Sequence, residues 1–163
     1  MEPLTVFDFS AESDLSSWRI VDDVVMGGRS DSNLQINDAG HGWFHGHVSL
    51  DNYGGFASAR YKLDPIKVRG ATVGKLRIKA DGKDYQFRTK ESHRDRYSYI
   101  YTFQTTGEWE TVEIPLAEMY PFFRGRRLDR SNYPARYLAE CAILIANKKN
   151  ETFEMEIDKI WFE

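Results

Sequence analysis

At 163 residues, with 41% apolar and 14% aromatic side chains, the chain is long enough for one domain with its own core, so neither disulfides nor a metal are needed for folding. A net charge of −3 argues against a general affinity for DNA. A single cysteine, Cys141 in the apolar run AECAILIA, rules out an intramolecular disulfide and reads as a buried, inert thiol.

The start, MEPLTVFDFSAESD, is acidic and has no basic stretch before an apolar run, so neither a signal peptide nor a transit peptide is expected. No apolar run is long enough for membrane insertion. The expected location is cytoplasmic. Residues 1–163 read as one unit, without repeats or linkers.

In chain order, DLSSW starts a short helical turn. In GWFHGHVSL, Phe44, Gly46, Val48 and Leu50 alternate with Trp43, His45, His47 and Ser49. In GFASARYKL, Ala57, Ala59, Tyr61 and Leu63 alternate with Ser58, Arg60 and Lys62. Leu76 and Ile78 oppose Lys75, Arg77 and Lys79, and the Asp81-Gly82 turn predicts a hairpin from this strand into DYQFRTK. There Tyr85 and Phe87 oppose Gln86 and Arg88. Tyr97, Tyr99, Tyr101 and Phe103 form the next stripe, and WETVEIPL follows it. PLAEMYPFF and YPARYLAE suggest short helical turns, and AILIAN and FEMEIDKIWF close the chain as strands. Roughly ten short strands between Gly, Asp and Asn punctuation predict an all-β, two-sheet β-sandwich of the jelly-roll kind.

Four segments carry candidate chemistry. WRIVDDVVMGGRSDS joins paired glycines to side-chain oxygens, with Met26, Gly27, Gly28, Ser30 and Ser32 as candidate ligand contacts. A structural turn capped by Asp and Ser explains the same residues. It is not a phosphate loop, because no Lys follows the glycines. His45 and His47 share a strand face about 7 Å apart. They are weak metal candidates, since zinc catalysis requires a third protein ligand, for which His41 or Asp51 is available.

Tyr99 and Tyr101, with Arg60 and Arg88 on neighbouring strands, would line a concave sheet face able to stack on a sugar or clamp a small anion. The alternative is that these tyrosines fill the core. FFRGRRLDRSNYPAR places Arg124, Arg126, Arg127, Arg130 and Arg136 among the aromatics Tyr120, Phe122, Phe123 and Tyr133, which suits a partner-binding loop. The other reading is a solvated loop held by ion pairs. No paired acid/base carboxylates and no nucleophile elbow are present. No catalytic residue and no cofactor are expected.

Taken together, WRIVDDVVMGGRSDS, FHGHVSLDNYGGFASAR, IKADGKDYQFRTK, YIYTFQTTGEWETVEIPLAEMYPFFRGRR and FEMEIDKI resemble the CIA30 (complex I intermediate-associated protein 30) family, from about Trp18 to Ile160. The resemblance implies a galactose-binding-like jelly roll. It also implies an assembly factor or chaperone for a respiratory NADH dehydrogenase of the complex I type, with protein subunits as partners. The motif residues it carries over are Met26, Gly27, Gly28, Ser30 and Ser32; Gly54, Gly55, Phe56, Ser58 and Arg60; and Arg124, Gly125 and Arg126. The chain begins almost at the domain, and its late turn ANKKNETF has no glycine, which points to a compact member of a bacterial kind. The expected function is a non-catalytic binding module. A carbohydrate or small-ligand module is the alternative, and a His-based metal enzyme the third reading.

Overall fold

Each strand of an alternating sequence must hide one face, and two sheets stacked on a shared core achieve this. The computed structural model describes residues 2–22, 30–50 and 55–163. Its strands are β1 (Leu4–Asp8), β2 (Trp18–Ile20), β3 (Asp31–Ile36), β4 (Gly42–Val48), β5 (Ala57–Lys67), β6 (Val73–Lys79) and β7 (Asp84–Lys90). There follow β8 (Ser98–Gln104), β9 (Trp109–Pro115), β10 (Tyr120–Phe123), β11 (Arg126–Arg127), β12 (Tyr137–Ile145) and β13 (Glu151–Phe162). One sheet has six strands in the order β3-β4-β13-β6-β9, with β1 also paired to β13. The other has seven, in the order β11-β10-β8-β7-β12-β5-β2. The predicted two-sheet sandwich is therefore present.

β13 organises the six-stranded sheet. One of its edges carries β4 and then β1, and the other carries β6. A register shift between Ile157 and Lys159 lets Ile157 and Ile160 both point into the core, three residues apart, which strict alternation would forbid. Phe44, Leu76, Ile78, Met155 and Phe162 from this sheet meet Tyr85, Phe87, Ile143 and Ile145 from the other, each at most 1% exposed. Burying a side chain of this size contributes about 1.5–3 kcal/mol. Cys141 lies in the same layer, and burial pushes its thiol well above the ordinary range, which makes it inert as expected.

Three local expectations are corrected. The Asp81-Gly82 turn does not close a hairpin. β6 pairs with β13 and β9, whereas β7 pairs with β8 and β12, so this turn carries the chain from one sheet to the other. Gly82 takes φ +83° there. The Asp81 carboxylate fixes the corner by accepting from the Lys83 N–H (3.3 Å), the Tyr85 hydroxyl (3.0 Å) and the Glu154 N–H (2.9 Å). PLAEMYPFF keeps a helical turn only at Leu116–Glu118, because Tyr120–Phe123 pairs with β8. In YPARYLAE the helical reading fails too, since Tyr137 onward is strand β12 between β5 and β7.

Candidate functional site

The outer face of the seven-stranded sheet is set by the register of its strands. Directly opposed residues of an antiparallel pair share a face. The registers place Tyr120 opposite Ile100, Ile100 opposite Arg88, Arg88 opposite Ala142, Ala142 opposite Arg60, and Arg60 opposite Arg19. These six residues form one straight row across β10, β8, β7, β12, β5 and β2. Beside it runs a second row, Thr102, Gln86, Leu144 and Ser58. Ile100, Ala142 and Leu144 point outward and are nonetheless buried, so this face carries a second layer of side chains.

Arg60 and Arg88 flank the small Ala142 and are both half-buried. Their chain neighbours orient them. Arg60 Nε donates to Ser58 Oγ (3.1 Å), while Arg88 Nε and Nη2 donate to Gln86 Oε1 (3.0 and 2.7 Å). Among the described residues, no carboxylate forms an ion pair with either guanidinium. Burial, then the Arg60 charge beside it, pushes Arg88 down to about 10, against an opposing pull from Tyr120. Burial also lowers Arg60; the Glu140 charge opposes this and the Arg19 charge adds to it. Both groups stay cationic at neutral pH.

The structure brings some of the candidate residues together. Ser32 Oγ donates to Asp22 Oδ1 (2.7 Å), which also accepts the Ser58 N–H (3.3 Å). Ser58 Oγ donates in turn to Val21 O and accepts from Arg60 Nε. The serine motif and the S-A-R motif thus form one hydrogen-bonded chain that ends at the Arg60 guanidinium. Ser30 is fully buried, and its hydroxyl accepts the Ser49 N–H (2.9 Å). Met26, Gly27 and Gly28, like Gly54, lie outside the described residues.

Tyr99 and Tyr101 do not join Arg60 and Arg88. Their register partners are Thr89 and Phe87, which face the core, so a groove made of these four residues is not formed. Tyr99 is 6% exposed, packs on Tyr133 at 5.2 Å, and its phenol is pushed up by burial. The aromatics that share the arginine face are Tyr120 and Phe122, with Arg127 over the first ring at 4.7 Å and Arg88 over the second at 5.6 Å. Sequence reading placed these rings in the arginine-rich loop. Only the β10–β8 register moves them onto the sheet.

The arginines of that loop divide. Arg124 and Gly125 form a two-residue turn with φ +50° and +81°, the signature of a type I′ hairpin. Arg127 shares the face of Phe122, and Arg126 shares that of Phe123, on the opposite side. Nearby, Arg136 pairs with Glu91 (3.5 Å) and Arg130 stacks over Tyr97 (4.7 Å), lining an open cleft.

On the other sheet, His45 stacks on Trp43 at 3.7 Å, His47 is exposed, and His41 pairs with Glu156 at 3.3 Å. Among the described residues, no three His, Cys, Asp or Glu side chains are grouped to hold a metal. No helix among them is long and apolar enough to cross a membrane.

Fold and topology define the class: a galactose-binding-like jelly-roll domain. Solved structures that share the fold include the Family 11 Carbohydrate-Binding Module from Clostridium thermocellum in complex with a beta-1,3-1,4-mixed-linked tetrasaccharide (TM-score 0.71, 16% identity, 98% of this chain and 94% of that one). A family 29 carbohydrate binding module also matches (TM-score 0.57, 10% identity, 99% and 87%). The chain itself belongs to the Complex I intermediate-associated protein 30 (CIA30) family, whose model matches residues 7–157. A curated relative, the mitochondrial Complex I intermediate-associated protein 30 of Drosophila melanogaster, is 26% identical over 183 residues, covering 97% of this chain. The chain spans 62% of that relative's length.

Proposed function

We propose that the chain is a non-catalytic binding module that serves the assembly of a respiratory NADH dehydrogenase of the complex I type, and that it meets a protein partner through the outer face of the seven-stranded sheet. Membership of the family supports the role. The row Arg19, Arg60, Arg88 and Tyr120 carries the choice of face. Arginine and tyrosine are the residues that most often anchor interfaces. This face is locally basic although the chain carries −3 overall, which selects an acidic partner surface. A cytoplasmic site of action belongs to the same proposal and is checked by fractionation. The functional test is capture: the tagged chain, expressed in its source cell, is expected to recover NADH dehydrogenase subunits. A folded bait that recovers none overturns the proposal.

The fold likeness to carbohydrate-binding modules motivates a second reading, with Tyr120 and Phe122 as stacking platforms. Each of these rings already carries a guanidinium over it, which competes with a pyranose for that ring. Calorimetric titration with the mixed-linked tetrasaccharide separates the readings, and no heat of binding is expected. Saturable binding would favour the sugar.

A further inference from the structure

We infer that Arg60 and Arg88 form a subsite for one carboxylate group carried on an organic body, an inference that rests on the outer face being the binding face. The two residues lie on β5 and β7 with only β12 between them, about 10 Å apart at the backbone by ordinary strand spacing. Between them stands Ala142, whose methyl leaves the space above the sheet to the two long side chains.

The orientation of the pair is fixed from below. Ser58 holds Arg60 by its Nε, and Gln86 holds Arg88 by Nε and Nη2. A guanidinium carries five N–H donors in a rigid fork, so most of the donors of this pair have no acceptor among the described residues. Ser58 is itself fixed by Val21 O and Asp22, the latter shared with Ser32, so Arg60 is held through two shells. Two half-buried cations two strands apart on one face repel each other; burial lowers Arg88, and the Arg60 charge adds to this. One shared anion offsets that repulsion.

The surroundings select the kind of anion. Phe122 and Tyr120 lie along the same face next to Arg88, a border that suits the carbon skeleton of a carboxylate ligand rather than a bare hydrated ion. Two sources supply that chemistry: a free organic acid, or an acidic side chain of the protein partner.

The test follows the guanidinium Nε–H signals of Arg60 and Arg88 by NMR while succinate is added to the full chain. Saturable shifts of both signals are expected. Binding is expected to weaken at least tenfold in R60Q and in R88Q and to stay unchanged in R130Q, with thermal melting confirming that each variant is folded. R88K keeps the charge but loses the fork, and it too is expected to bind more weakly. Shifts that stay linear to tens of millimolar, or affinities equal to the parent in R60Q and R88Q, overturn the subsite. Adding succinate to the captured partner complex then assigns the source. Release of the partner places the carboxylate on the partner, whereas retention with the Arg60 and Arg88 signals still shifted places it on a free acid. Partner capture lost in R60Q together with a flat titration overturns the subsite and leaves the binding face standing, while absence of any partner with a saturable titration does the reverse.

Discussion

Arg60 and Arg88 are half-buried cations without an ion-pair partner among the described residues, an arrangement that costs stability rather than adding to it. Replacing such a charge by an apolar side chain of similar length is commonly neutral or stabilising. Arg88→Met is therefore expected to raise the unfolding free energy by about 1 kcal/mol while weakening partner capture. Chemical denaturation measures the first effect, and a loss of 3 kcal/mol or more would show that the guanidinium is structural instead. The tyrosines behave in the opposite way. Because Tyr99 faces the core, Tyr99→Phe is expected to leave partner and succinate affinity within twofold of the parent. A tenfold loss in that titration would return Tyr99 to the binding face.

At the scale of elements, the corner at Asp81-Gly82 takes the chain from β6 in one sheet to β7 in the other. Asp81 accepts three hydrogen bonds there, one of them from Glu154 on β13. Asp81→Ala leaves the Lys83 and Glu154 N–H groups without this acceptor and the Tyr85 hydroxyl with only its longer bond to Glu154 O (3.5 Å), and is expected to cost about 3 kcal/mol, measured by urea unfolding. A change below 0.5 kcal/mol would mean that the turn is held by other contacts. The same corner shows what the sequence reveals and what it hides. Alternation in KLRIKA and DYQFRTK assigned Leu76, Ile78, Tyr85 and Phe87 to the core correctly, since period two is a local property, but it passed over the buried Gly74 and Thr89. Local turn chemistry read Asp-Gly as a hairpin, because strand pairing depends on partners more than sixty residues away, such as Glu154. For the same reason Arg60 and Arg88 were legible as outward residues, whereas the position of Tyr99 relative to them was not. Its face follows from its pairing with Thr89, and parity along a single strand carries no register. The helical reading of Tyr137–Glu140 failed because burial between β5 and β7 overrides weak local preference.

At the scale of the molecule, the two sheets leave two outer faces of different character. On the six-stranded sheet several polar groups answer one another. Trp43 Nε1 donates to Glu154 (2.8 Å), His41 meets Glu156, and Lys75 pairs with Glu113 and Glu163. The carboxylates of this face are thus engaged by neighbouring side chains, while His45 Nε2 is buried without a hydrogen-bond partner among the described residues. On the seven-stranded sheet the row from Arg19 to Tyr120 keeps cations without carboxylate partners among the described residues, and aromatic rings lie beside them. The whole account therefore turns on which face engages the partner, and a capture experiment with two triple variants, each confirmed as folded, decides it. The R60Q/R88Q/Y120A chain is expected to lose at least tenfold in recovered NADH dehydrogenase subunits, and the W43A/R77Q/W109A chain to recover them as the parent does. Loss in the second chain with retention in the first would contradict the account.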